Sequence, residues 1–302
     1  MKISGLHLLL TYQCNFECDH CFVWGSPRQT GTMTLECIRE ILDQAEKTGT
    51  VEWIYFEGGE PFLYHGALLG GVEMGASRGF QVGIVSNGYW ATGLDDALEC
   101  LQPFAGLIQD LSLSSDTFHQ GKKFSQQTRN AMEAAEKLAI PVDLISIAQP
   151  EETHVAAVSG QIPSGESAVV FRGRAVDKLA DRADQQDWNQ FTECPFEDLR
   201  EPGRVHIDPL GNVHICQGIS LGNLFEKPLA AIFTDYDPDT HAITGPLLGG
   251  GPAELARLYD LSCKPGYSDA CHLCYEVRCK LRTRFPGILT PDQMYGAFDA
   301  PH

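Results

Sequence analysis

The 302 residues contain no stretch approaching the ~20 apolar residues of a membrane helix. They also lack an export signal: "MKISGLHLLLTYQC" carries one lysine and a short apolar run, with no small-residue cleavage site after it. Basic residues are scarce, 22 Lys and Arg against 40 Asp and Glu, which leaves a net charge of −18. No basic stripe exists to neutralise a phosphate backbone. These absences predict a cytoplasmic protein with no membrane and no nucleic-acid partner. Internal repeats are missing, as is low-complexity sequence beyond one glycine run at 245–254. Cysteine, in contrast, is plentiful. Eleven thiols in a reducing compartment point to metal binding or catalysis in preference to disulfides.

Up to about residue 175, β-rich runs alternate with helical patterns. Strands are predicted at 7–12, 51–56, 80–87, 107–115, 142–148 and 167–173. Helices fall at 34–49, 65–79, 93–103 and 125–139, with a weaker one near 152–159. Strand and helix in alternation mean parallel pairing through right-handed crossovers, hence an α/β barrel or an open doubly wound sheet. The motifs "QCNFECDHC", "EGGEP", "SNG" and "SSDTFH" each follow a strand. In a parallel barrel those loops share the C-terminal face, where active sites form. After about 190 the texture changes. A hairpin is predicted around Gly211-Asn212, then a glycine-rich loop at 245–254, then four cysteines in "CKPGYSDACHLCYEVRC". The acidic stretch 178–188 reads as a linker.

Cys14, Cys18 and Cys21 are spaced with three and two residues between them. Three thiols are one short of a closed tetrahedral zinc site, and His20 fits poorly as the fourth because it lies between two ligands. Three thiolates on an iron–sulfur cubane leave one iron open to an exogenous chelator such as a methionine moiety. The motif resembles the signature of the radical S-adenosylmethionine (SAM) superfamily. That resemblance implies a partial (β/α)6 barrel, a 4Fe–4S cluster, SAM and an electron donor such as a flavodoxin or ferredoxin. It further implies SAM contacts from Gly58, Gly59 and Glu60 in "GGEP", Ser86 and Asn87 in "SNG", and Ser114 and Asp116 in "SSD". Arg172 resembles a sixth-strand arginine that meets the SAM carboxylate. On general grounds Asp116 also suits a helix cap. His119 is a candidate contact at the barrel mouth, and Phe22 and Trp24 candidate shields for the cluster loop.

The C-terminal part resembles the SPASM/twitch extension of peptide-modifying radical SAM enzymes, where a Gly-x4-Cys hairpin and a later Cys-x2-Cys ligate an auxiliary cluster. Gly211-x4-Cys216 and Cys271-x2-Cys274 match, while the x7, x2 and x4 spacing of the final run departs from the full seven-cysteine pattern. The expected ligand set is Cys194, Cys216, Cys271 and Cys274, and the rival is a zinc ribbon of Cys263, Cys271, Cys274 and Cys279. The former leaves Cys263 and Cys279 as candidate hydrogen-atom donors to a substrate radical, because the position after the hairpin ligand is Gln217. Cys37 and Cys100 fall on helical stretches and read as inert core thiols. Domains are expected at 1–180 and 190–302. The implied function is hydrogen abstraction from a ribosomally made peptide, ending in epimerisation or oxidative cross-linking, with a small-molecule substrate or a non-catalytic iron–sulfur carrier as alternatives. No leader-binding domain is expected ahead of the first strand, so a peptide is expected at the barrel mouth or the C-terminal domain.

Overall fold

The computed structural model describes residues 1–121, 124–151 and 165–297. Its elements, in chain order, begin with β1 (Ile3–Thr11), α1 (Leu35–Thr48), β2 (Trp53–Gly58), α2 (His65–Ser77), β3 (Gln81–Ser86), α3 (Leu94–Leu101), β4 (Asp110–Ser114) and α4 (Thr117–Gln120). There follow α5 (Gln126–Lys137), β5 (Val142–Ile147), β6 (Gly165–Ser167), α6 (Arg174–Lys178) and β7 (Gln186–Asp187). The chain ends with β8 (Gly203–Ile207), β9 (Asn212–Cys216), β10 (Ile219–Asn223), α7 (Leu229–Asp235), α8 (Thr244–Leu258), β11 (Gly266–Tyr267) and α9 (Ala270–Leu281).

Local chemistry explains the first helix. The Thr34 side chain accepts a hydrogen bond from the Cys37 amide, and Gly49 closes the end at φ 67°, where a side chain would be strained. Between them Ile38, Ile41, Leu42 and Ala45 recur on one face and are buried against the sheet.

β1 to β6 form a parallel sheet in sequence order. On the other edge of β1 lies β8, also parallel, followed by antiparallel β9 and β10. One large apolar core lies between the sheet and its helices, and a second unites the loop after β1 with β9, α8 and α9. Cys37 and Cys100 are half-buried against the first core. Among the described residues no helix is long and apolar enough to cross a membrane.

Three expectations need correction. The sixth strand covers 165–167, not 167–173, because the Phe171 amide donates to Asp269 and Arg172 to the Val170 carbonyl instead of to a neighbouring strand. The glycine-rich stretch 245–254 is helical, within α8, and breaks at Gly250 and Gly251. Gly251 has φ +67°, and a Cβ there would stand 2.3 Å from the Glu193 amide nitrogen. The stretch 178–188, expected as a linker, ends in β7, which pairs with β11. The weak helix expected near 152–159 lies outside the described residues.

The β8–β9 turn is fixed by Asp208, which is fully buried. Its carboxylate accepts from Tyr12 Oη at 3.0 Å and from Asn212 Nδ2 at 2.9 Å, and lies 3.0 Å from His214 Nε2. It also accepts from the Leu210 and Asn212 amides, both at 2.9 Å. Removing it strands several buried donors. Asp208→Ala is expected to lower the unfolding free energy by on the order of 3 kcal/mol in urea titration; an unchanged midpoint would show the turn to be held by the strands alone.

Candidate functional site

The loop after β1 carries Cys14, Cys18 and Cys21 to the C-terminal edge of the parallel sheet. All three thiols line a cavity of about 300 Å³ with Gly58, Gly59, Ser86, Asn87, Ser114 and Arg172. Burial pushes the Cys14 thiol up to about 12 and Cys18 further in the same direction, so bare thiolates are disfavoured there. The sulfurs nevertheless have donors aimed at them. The Phe16 amide reaches Cys14 Sγ at 3.3 Å and the Gly25 amide reaches Cys21 Sγ at 3.2 Å. A convergent three-thiol set with N–H donors to sulfur suits an iron–sulfur cluster, whose thiolates gain from both the iron and the hydrogen bonds.

Backbone contacts hold the loop. The Gly59 amide donates to the Thr11 carbonyl at 2.7 Å and the Glu60 amide to the Gln13 carbonyl at 2.9 Å. A Cβ on Gly59 would lie 2.0 Å from the Gln13 oxygen, so only glycine permits this approach. From the far side Arg174, only 2 % exposed, donates to the carbonyls of Cys18 and Gly25, both at 2.8 Å. Its guanidinium also lies 5.4 Å from the Trp24 ring centroid. The sequence reading missed Arg174, although it adjoins Arg172 in "FRGRA". The available signal was Gly173, which has φ +62° and no room for a Cβ against the Phe22 carbonyl.

Two expected SAM contacts are placed differently. Glu60 is fully buried and does not line the cavity. It caps its own loop, accepting from Phe62 at 3.0 Å, and ties that loop to "SNG" through Ser86 Oγ at 2.9 Å and the Asn87 amide at 2.8 Å. Burial lifts its carboxyl to about 7 against the pull of those donors. Asp116 caps α4, accepting from the Phe118 and His119 amides and from Ile147, and it too is buried away from the cavity. Its Oδ1 also lies 2.8 Å from His119 Nδ1. His119 itself lines the cavity, as does Phe22.

A second, smaller cavity of about 20 Å³ gathers Cys194, Cys216, Cys271 and Cys274. Cys271 and Cys274 come from one face of α9, Cys216 from the end of β9 and Cys194 from the segment before β8. Arg278, 2 % exposed, lines it as well. Arg172 does not sit in a strand. It stands between the cavities, 3.2 Å from Glu197 and 3.9 Å from Cys216 Sγ, and lines both. Cys263 and Cys279 line neither cavity. Gln217, buried, is engaged by Arg278 and the Met294 carbonyl.

Comparison with known proteins fits this geometry. Residues 8–154 match the radical SAM superfamily. Over those residues the chain therefore carries a radical SAM domain. Over 199 residues it is 28% identical to YydG of Bacillus subtilis (strain 168), named as a peptide biosynthesis protein, covering 64% of this chain and 62% of that one. Over 107 residues it is 38% identical to the tungsten-containing aldehyde ferredoxin oxidoreductase cofactor-modifying protein of Pyrococcus furiosus, covering 35% and 28%. It thus spans less than two thirds of the length of either relative. The fold is similar to that of Streptococcus suis SuiB solved with S-adenosylmethionine, with a TM-score of 0.53 and 12% identity over 80% of this chain and 68% of that one.

If Arg174 is what holds the cysteine loop closed, Arg174→Ala should cut cluster iron after reconstitution at least severalfold, with far-ultraviolet circular dichroism unchanged. Full iron in that variant would show that the glycine contacts suffice.

Proposed function

We propose that the protein modifies a ribosomally made peptide, removing a hydrogen atom from carbon and leaving the product oxidised. When bound by Cys14, Cys18 and Cys21, a 4Fe–4S cluster with SAM supplies a 5′-deoxyadenosyl radical, and a second cluster on Cys194, Cys216, Cys271 and Cys274 supplies an electron acceptor. The observation that carries this reading is the shared wall. Arg172 and Glu197 border both cavities, so the four-thiol set lies directly behind the place where a substrate would stand.

The lining residues favour oxidation over epimerisation. Inversion needs a weak X–H bond facing the substrate carbon. Among the described residues the only thiols lining the cavity are the three of the cluster loop, and no tyrosine lines it. Peptide chemistry is supported by YydG, whose name assigns it to peptide biosynthesis. The cavity's mixed wall of Phe16, Phe22, Ile145 and Val170 with Arg172, Glu197 and Arg204 offers apolar and charged contacts to a side chain.

Reconstituted protein with dithionite and SAM should release 5′-deoxyadenosine, and simultaneous Cys14→Ala, Cys18→Ala and Cys21→Ala should abolish it. Iron should fall from about eight to about four per chain in that variant; stoichiometric zinc in place of the remaining iron would remove the second cluster. With a peptide encoded beside the gene, in D2O, the product should be two mass units lighter and carry no solvent deuterium. A product of unchanged composition that has gained one deuteron would establish epimerisation instead.

A further inference from the structure

At the floor of the main cavity three side chains converge that the proposed reaction does not use. His7 on β1, Glu57 on β2 and His206 on β8 come from three adjacent parallel strands, with His7 level with His206 and Glu57 level with Leu9. One donor atom from each lies within 4.8 Å of the other two. Glu57 Oε1 is 3.0 Å from His206 Nε2 and 3.4 Å from His7 Nδ1. His7 is 8 % exposed and His206 9 %, and all three residues line the cavity.

Beyond these close contacts, His7 Nδ1 and Glu57 Oε1 are buried and have no hydrogen-bond partner of good geometry. Their spacing also suits a shared ion. Donors held at about 2.1 Å from one ion lie about 3.0 Å apart at right angles and about 3.4 Å apart at tetrahedral angles. Arg204, the cation two residues before His206, is paired with Glu197 at 3.4 Å.

We propose that His7, Glu57 and His206 bind one divalent first-row metal ion, apart from both thiol sets, at the floor of the substrate cavity. Two imidazoles and a carboxylate are a donor set for Fe²⁺, Mn²⁺ or Zn²⁺ that leaves coordination positions open, here toward the cavity. In those positions the ion takes a carbonyl or carboxylate oxygen of the substrate as a Lewis acid, fixing which carbon faces the cysteine loop. The site stands on these residues alone and does not depend on the substrate being a peptide. A second group, His20, Asp116 and His119, also falls within 4.8 Å. There the carboxylate already accepts from the Phe118, His119 and Ile147 amides, so it serves as the control.

The test is Mn²⁺ titration of the reconstituted holoprotein, without SAM, followed by electron paramagnetic resonance of the free ion. Mn²⁺ binds imidazole and carboxylate and avoids thiolate. One saturable Mn²⁺ per chain is expected, weakened at least tenfold by Glu57→Gln and by His206→Ala and unchanged by His119→Ala. Absence of a saturable site in the wild type overturns the proposal, as does binding that survives Glu57→Gln. If Glu57→Gln loses cluster iron, His7→Gln with full iron content decides in its place.

Discussion

The structure depends on one desolvated loop. Three thiols must face a cavity together, and burial opposes their ionisation, so the loop that carries them has to be held by something other than the sulfurs. That holding is done by main-chain atoms. Arg174 takes two carbonyls of the loop, the Gly59 and Glu60 amides take two carbonyls of its stem, and the Phe16 and Gly25 amides point at two of the sulfurs. A guanidinium buried this deeply is costly unless every partner is present, and here its partners are backbone oxygens that cannot be lost by substitution. The same interaction ties the N-terminal strand to the segment after β6.

The remaining strand-end motifs form a second layer behind that loop. Glu60 joins its own turn to Ser86 and Asn87, while Asp116 caps α4 and reaches across to β5 through Ile147. Both carboxylates turn away from the cavity and spend their lone pairs on amides and hydroxyls. Their effect on a bound ligand is therefore through the position of Gly58, Gly59, Asn87 and Ser114, which do line it.

Addition of β8 to the free edge of β1 gives the barrel its other wall. It brings Arg204 opposite Gly5 and His206 opposite His7 and, through β9, delivers Cys216 beside Arg172. The two thiol sets thus share side chains although they are separated by some 170 residues of chain or more, and the polar floor of the cavity is made by strands from both ends of the molecule.

The sequence by itself determined the parallel α/β order, the helix boundaries near α1, α2, α3 and α5, and the four loops on one face. Those are local matters of period, caps and turn residues, and "CNFECDHC" states its donors openly. It also singled out the four cysteines of the second cavity, by resemblance and by counting. What it could not decide were properties of contact. A carboxylate in "GGEP" or "SSD" looks the same whether it meets a ligand or an amide, and only packing showed that Glu60 and Asp116 face inward. "FRGRA" offered two arginines, and the fold assigned the loop to Arg174 and the wall between cavities to Arg172. Cys279 shares α9 with Cys271 and Cys274, and Cys263 precedes that helix, yet both lie outside the two cavities. The glycine run at 245–254 is helical except at Gly250 and Gly251, where Gly251 approaches Glu193 too closely to admit a Cβ, a tertiary contact that no local propensity announces. His7, Glu57 and His206 carry no motif at all, since residues on three strands meet only when the sheet is assembled and its register fixed.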